Sequence, residues 1–453
     1  MNHTEALGKE PIGPLLWRCS LPAIIGMLVN ALYNIVDSIF VGQGVGELAL
    51  AAVTIAFPLM TILMGLGMFV GLGAASIASL RLGAGDKQGA ECILGNALTL
   101  LCLIMLPTTG LALLFLEELL QWLGASPEVL PYAIDFTRII LGGSIFMHIS
   151  FGLNGLIRAQ GDAKTALYTM LIAALLNTAL NPLFIFVFHW GIAGSAWATV
   201  ISQFVATIWV LTYFLYGRST LRLRRACLKL QKKLVLDIAR IGMAPFLMQL
   251  GSSLVIVIFN FTLLSYGGNL AIAAFGIVNR VLMLLLMPVL GISQGVQPIV
   301  GYNYGAQNYS RVLQAIKLAA GSATLVCIAG LIMVLTGHEL LVRLFNDNPE
   351  LIRIGSEGLC IFLAMLPVIG FQIIGANYFQ AIGKAVYSIV FNLLRQFILL
   401  IPLVYLLPQW LGLNGIWAAG PVADLGSACL TGFFLLRELR RLKSAGNGRG
   451  TGI

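Results

Sequence analysis

The chain has 453 residues, of which 59% are hydrophobic and only 10% charged, and its formal net charge is +9. Soluble domains carry about 25% charged residues, so this composition excludes a water-soluble globular protein and makes lipid the main solvent. The positive balance does not point to nucleic acid, because the loop Lys and Arg concentrate in alternate connections, where they read as topology signals and lipid-headgroup contacts, with Arg343 alone clear of a helix on the other side.

A tail at 1–14 precedes apolar segments at 15–41, 49–80, 92–116, 136–157, 165–188 and 192–216. A basic stretch at 217–234 follows. Six more segments then run over 236–264, 271–301, 312–336, 352–379, 386–407 and 412–437, with a basic tail at 438–453. Each segment reaches or exceeds the roughly 20 residues a spanning helix needs. Hydrocarbon leaves no partner for free backbone groups, so the segments must be helices or closed barrels, and they are too long for barrel strands. The first segment is too long for a signal-peptide core and lacks a small-residue cleavage site, so it counts as a helix. The sequence thus predicts an all-α integral membrane protein with twelve transmembrane helices.

Counted from the N-terminus, the even-numbered connections and both tails hold Lys9, Arg81, Lys87, Arg158, Lys164, Arg311, Lys384, Arg440, Arg441 and Lys443. The central connection adds Arg218, Arg222, Arg224, Arg225, Lys229, Lys232 and Lys233, whereas Glu47, Glu117, Glu118 and Glu128 collect in the alternate loops. This asymmetry places both termini in the cytoplasm, with the chain crossing the membrane many times.

Shifted by 222 positions, the chain begins to match itself. GVGELALAAV (44–53) lies against YGGNLAIAAF (266–275), LGAGD (82–86) against YGAQN (304–308), and IRAQGDAK (157–164) against FQAIGKAV (379–386). With one residue of slip, GIAGSAWA (191–198) lies against GLNGIWAA (412–419). Each copy holds an even number of helices, so both enter the membrane in the same sense, as in the parallel repeats of secondary transporters. The expected architecture is an N-lobe (15–216), a linker (217–234) and a C-lobe (235–437), with a central cleft for substrate near the midplane.

Within the first helix, Asn30, Tyr33, Asn34 and Asp37 recur at helical spacing and form one polar stripe. An ionised Asp at the bilayer centre costs at least about 3 kcal/mol and marks ion or proton pathways. Asp37 stands eight residues before the first outer turn near Val45; Asn181 precedes, and Thr199 follows, the turn at His189–Gly191 by the same number. At about 1.5 Å per residue all three lie roughly 12 Å below the outer ends of their helices, with Asn177 one turn further in. The set Asp37, Asn177, Asn181 and Thr199 suits a proton on the carboxylate or a Na⁺ held by hard oxygens.

The second lobe differs. Gln249, Ser253 and Asn260 form a weaker polar face, and Asn279 and Arg280 lie together in the eighth helix as further cleft candidates. Arg395 and Asp424 lie at matching depth on the last two helices, which reads as a buried ion pair, with titration of Asp424 as the other reading.

Enzyme motifs are not supported: no HExxH, GxSxG or Walker loop occurs, and GAGD at 83–86 reads as a loop turn. Of four histidines only His148 is clearly inside a helix, where a packed or hydrogen-bonded ring is the ordinary reading. The seven cysteines are scattered without CxxC spacing and read as packing residues rather than a disulfide or zinc framework.

The motifs YNIVDSIFVG (33–42), LGAGD (82–86), RAQGDAK (158–164), Asn181–Pro182 and QPIVGYNYGA (297–306) resemble, in this order, those of multidrug and toxic compound extrusion transporters, the MepA-like bacterial branch above all. The resemblance runs from about Pro14 to Arg441. It implies two six-helix lobes, no cofactor, and export of cationic, amphipathic small molecules by a monomer in exchange for H⁺ or Na⁺. It also implies an ion-responsive Asp at Asp37, with Asn177 and Thr199 in the family's polar set. Asn181 departs from the pattern, standing where relatives keep an acid. A flippase for a lipid-linked anionic headgroup and a non-transporting receptor or scaffold remain the alternative readings. The first would want several cations in the cleft, and the second gives no reason for a polar set in one lobe.

Overall fold

The computed structural model describes residues 3–217 and 219–447. Arg218 of the basic linker and the part of the basic tail after Asn447 lie outside the described residues.

The described residues are helical apart from turns, short loops and most of the linker. The first half comprises α1 (His3–Lys9), α2 (Ile12–Gly44), α3 (Glu47–Gly83), α4 (Lys87–Leu114), α5 (Leu116–Trp122), α6 (Leu130–Ala159), α7 (Ala163–Pro182) and α8 (Gly191–Leu215). The second comprises α9 (Lys232–Gly305), α10 (Tyr309–Arg343), α11 (Pro349–Phe362), α12 (Leu366–Ala381), α13 (Ala385–Leu393), α14 (Ile401–Leu406), α15 (Pro408–Leu411) and α16 (Leu413–Asn447). Among the described residues twelve crossings result. α9 is two spans, because Gly268 breaks it at φ 65, a left-handed conformation that glycine adopts without a Cβ penalty. α11 and α12 are one span bent by 50°. Pro367, in the first turn of α12, has no N–H to give the preceding turn, so the span that reads as continuous in sequence breaks there.

Two compact units divide the chain: Met1–Lys9 with Ile25–Phe246, and Glu10–Ile24 with Leu247–Ile453. α2 and α9 therefore each serve both units. In unit one the helices approach through small residues, as expected where lipid removes the hydrophobic drive and close backbone packing must replace it. A Cβ at Gly71 of α3 would lie 2.7 Å from Gly152 Cα of α6, and one at Gly242 of α9 would lie 1.7 Å from the Phe69 carbonyl oxygen. The repeated loop motifs are helix starts. Asp86 Oδ1 accepts from Gly89 N (2.8 Å) to cap α4, and Asp162 Oδ1 accepts from Thr165 N (3.1 Å) to cap α7.

The residues read as a tail and a loose linker are more ordered than their composition suggests. Thr4 of α1 is buried and donates to the Gln160 carbonyl (3.1 Å). The linker runs along α4: Asn96 Nδ2 donates to the Cys227 and Lys229 carbonyls at 3.0 and 3.2 Å, and Asn96 Oδ1 accepts from Gln231 N at 2.8 Å. Glu91, only 1% exposed at its side chain, pairs with Arg224 at 2.6 Å. This path corrects the reading of all cysteines as packing residues. Cys92 of α4 and Cys227 of the linker form a disulfide, their Cα atoms 4.5 Å apart across 135 residues of sequence, because Asn96 pins the backbone of Cys227 one turn from Cys92.

Candidate functional site

Polar side chains from α2, α7 and α8 meet inside unit one. Asp37 projects from α2, and its Oδ1 accepts hydrogen bonds from the Asn181 side-chain amide of α7 and from Ser195 Oγ of α8, the latter at 3.1 Å. One helical turn away, Asn177 Nδ2 donates to Thr199 Oγ1 at 3.0 Å. Tyr33 stands one turn before Asp37 on α2, on the same face. Asn177, Asn181 and Ser195 are at most 1% exposed. The structure therefore brings Asp37, Asn177, Asn181 and Thr199 together, with Tyr33 beside them.

Local backbone explains the position of the amide. Pro182 follows Asn181 and has no N–H to donate, and beyond it the backbone widens into a π turn over Leu183–Val187, in which Phe188 N bonds to the Leu183 carbonyl five residues back. Such widened turns often sit at functional positions. Ser195 was not anticipated from the sequence. It stands four residues before Thr199, on the same face of α8, so helical phasing from Thr199 is the signal that points to it.

The charge and hydrogen-bond balance is uneven. The partners of Asp37 are neutral amide and hydroxyl donors, and Asn181 Oδ1 is buried without a hydrogen-bond partner. A buried acceptor left bare costs about 1–3 kcal/mol, so this oxygen is a ready seat for a proton donor or a hard cation.

Other polar residues of the sequence reading lie apart from this cluster. Asn30 and Asn34 are exposed on α2, where Asn34 Nδ2 turns back to the Asn30 carbonyl at 2.6 Å. Gln249, Asn260 and Asn279 are half-buried on α9 in unit two, and Arg280 beside them is exposed. Arg395 and Asp424 meet in unit two: Arg395 Nε, on a π turn over Leu394–Leu400, lies 2.5 Å from Asp424 Oδ1, and Asp424 is 2% exposed. Nearby, Gln396 donates to Ser252 Oγ at 2.9 Å.

Against known proteins, the family model MatE matches residues 22–183 and again 245–406, so each half of the internal repeat carries one copy. The multidrug export protein MepA of Staphylococcus aureus (strain NCTC 8325 / PS 47) is 27% identical over 419 residues, covering 90% of each chain. MepA of Staphylococcus haemolyticus (strain JCSC1435) is 27% identical over 423 residues, 93% of each. Among solved structures, an outward-facing multidrug resistance MATE family transporter of the MOP superfamily superposes with a TM-score of 0.92 at 25% identity, covering 98% of this chain and 99% of that one. A MOP superfamily transporter from Pyrococcus furiosus, described as having a binding pocket of reverse polarity that suggests a different function, superposes equally well at 26% identity.

Proposed function

The chain belongs to the MatE family, and from this premise we propose that it is a secondary active antiporter that exports cationic, amphipathic small molecules in exchange for H⁺ or Na⁺. Its lobes follow the repeat, 15–216 and 235–437, joined by the 217–234 linker. It works as a monomer in the inner membrane with both termini cytoplasmic, surrounded by lipid, without a cofactor and without enzymatic chemistry.

The observation that carries the reading is Asp37, a carboxylate at membrane depth whose partners are neutral donors from two other helices. A carboxylate in that setting attracts a cation, and the two cations in play compete for it. When H⁺ or Na⁺ binds Asp37, the attraction for a positively charged substrate is cancelled and the substrate leaves outward. When the ion departs inward, the next substrate is drawn in. Asn30, Tyr33 and Asn34 on α2 are proposed substrate contacts of unit one, and Gln249, Asn260, Asn279 and Arg280 on α9 are proposed substrate contacts of unit two.

Asn181 supports either ion. Its unpartnered Oδ1 can accept from a protonated Asp37 after rotation of the amide, or join Asp37, Asn177 and Thr199 in an oxygen shell for Na⁺. A Na⁺ at this cluster would meet the Asp37 carboxylate and otherwise neutral oxygens. The flippase reading has less support. Of the two cations it could enlist, Arg395 is engaged by Asp424.

The test is dye efflux from proteoliposomes given either a pH jump or a Na⁺ jump. Export driven by one gradient and abolished in Asp37→Asn is expected. Dye movement that needs neither gradient refutes the antiport.

A further inference from the structure

A second buried titratable group in unit one is left unused by this scheme. His148 of α6 is 1% exposed. Its Nδ1 lies 2.6 Å from the Ser144 carbonyl oxygen of its own helix, and its Nε2 lies 2.8 Å from the Leu63 carbonyl oxygen of α3. Both neighbours are acceptors with no proton to offer. A neutral imidazole has one N–H and one lone pair, so in that state one contact sets two lone pairs against each other. Only a ring carrying protons on both nitrogens satisfies both contacts.

α3 is shaped to receive this ring. Gly67 stands one turn beyond Leu63, and a Cβ there would approach His148 Cδ2 to 2.7 Å. The glycine provides the seat and Leu63 the acceptor, so the ring bridges two helices rather than merely filling space.

Among the described residues the ring meets no counter-charge; Asp135 of α6 lies thirteen residues from it. α3 has no titratable side chain between Glu47 and Arg81, and Arg138 and Arg158 of α6 are ten residues away on either side. On α4 the nearest titratable group is Cys102, next to Leu101, which meets Gly152 one turn further along α6. α8 has none before Tyr213; Lys164 and Tyr168 lie in the first two turns of α7, and Glu117 and Glu118 lie on α5. A charge supported by two carbonyl dipoles and no carboxylate is held weakly.

We propose that His148 is a proton-binding site: the doubly protonated ring ties α3 to α6, and release of its Nε2 proton gives up the bond to the Leu63 carbonyl and loosens that contact. Unit one then takes up a proton at His148 in addition to any ion at Asp37. The consequence for transport rests on the antiport proposed above; the protonation state of the ring does not.

The two are tested separately. In the full-length protein with His3, His189 and His338 replaced by Gln, ¹⁵N spectra of the labelled His148 ring are recorded against pH. Two protonated ring nitrogens at the acid end, giving way to a single N–H form as pH rises, are expected. One neutral tautomer across the whole range in which the protein stays folded overturns the proposal. In proteoliposomes, His148→Gln is expected to lose the part of the efflux pH profile that follows the ring titration, and Gly67→Ala, which fills the seat, to alter the same limb. Efflux profiles superimposable on wild type for both variants overturn the role in transport. Should Asp37→Asn export dye normally while the ring titrates, the antiport assignment fails and the proton site stands; the reverse result removes His148 alone.

Discussion

Replacing Asp37 by Asn and by Ala separates its charge from its hydrogen bonds. In the wild type, Asp37 Oδ1 accepts from Asn181 and Ser195, and Asn181 Oδ1 is buried without a partner. Asp37→Asn keeps an oxygen for both donors and adds an N–H₂ that can reach the bare Asn181 oxygen. Two charge-assisted bonds worth about 1.5–3 kcal/mol each become neutral ones worth about 0.5–1.5, and the gain of roughly one new bond offsets half of the loss, so the net cost is about 1 kcal/mol. Asp37→Ala instead strands two buried donors at about 1–3 kcal/mol each, or roughly 2–6 kcal/mol in all. Thermal unfolding in detergent should therefore rank the variants wild type, Asn, Ala, with Asn close to wild type, while gradient-driven ethidium efflux is lost in both. If Asp37→Asn drives efflux at the wild-type rate at equal incorporation, the charge is not what couples ion to substrate. If Asn is as unstable as Ala, the hydrogen-bond accounting is wrong even where the transport result agrees.

Breaking the pair in unit two should be costly: Arg395→Met leaves Asp424 charged, unpaired and 2% exposed, with an expected loss of about 3–5 kcal/mol in detergent unfolding, and Arg395→Met with Asp424→Leu should recover most of it. If the single variant is as stable as wild type, the pair is not holding the charge. Asn96→Ala removes the anchor of three linker backbone groups, and limited trypsin digestion should then cut at Arg224 or Arg225 faster than in wild type. Gly242→Ala sets a methyl 1.7 Å from the Phe69 carbonyl, so the purified protein should show a lower unfolding temperature or not accumulate at all; unchanged yield and stability contradict the packing of α9 on α3.

The spans were legible because burial in lipid demands long apolar runs whatever the tertiary contacts, and the duplicated motifs reported two equivalent halves. The joints inside the spans were not. The bend before Leu366, the π turns after Pro182 and at Leu394, and the break at Gly268 depend on which backbone groups find partners, and only Pro and Gly hint at them. In the site, counting residues from shared turns placed Asp37, Asn181 and Thr199 at one depth and Asn177 one turn further in, since helical rise is nearly fixed. Ser195 escaped because serine is common on packed helix faces and carries no charge to draw notice. The Cys92–Cys227 disulfide escaped for a different reason: its 135-residue separation is closed by the course of the linker over Asn96, which no local pattern encodes.

The two units handle a carboxylate within the helices in opposite ways, and the contrast bears on where an ion can act. Asp424 faces a guanidinium at 2.5 Å, so a second cation arriving there meets a charge already compensated and must displace Arg395. Asp37 faces only an amide and a hydroxyl, which stabilise its negative charge without cancelling it. An arriving H⁺ or Na⁺ gains the full attraction and displaces nothing. Asn181 sharpens this: an acid at that position would give a hard cation a second anionic oxygen ligand beside Asp37, whereas the amide leaves one charge to neutralise, which one proton can do. Asn181→Asp should accordingly strengthen Na⁺-driven relative to H⁺-driven efflux in proteoliposomes. An unchanged ratio of the two would show that the residue beside Asp37 does not select the ion.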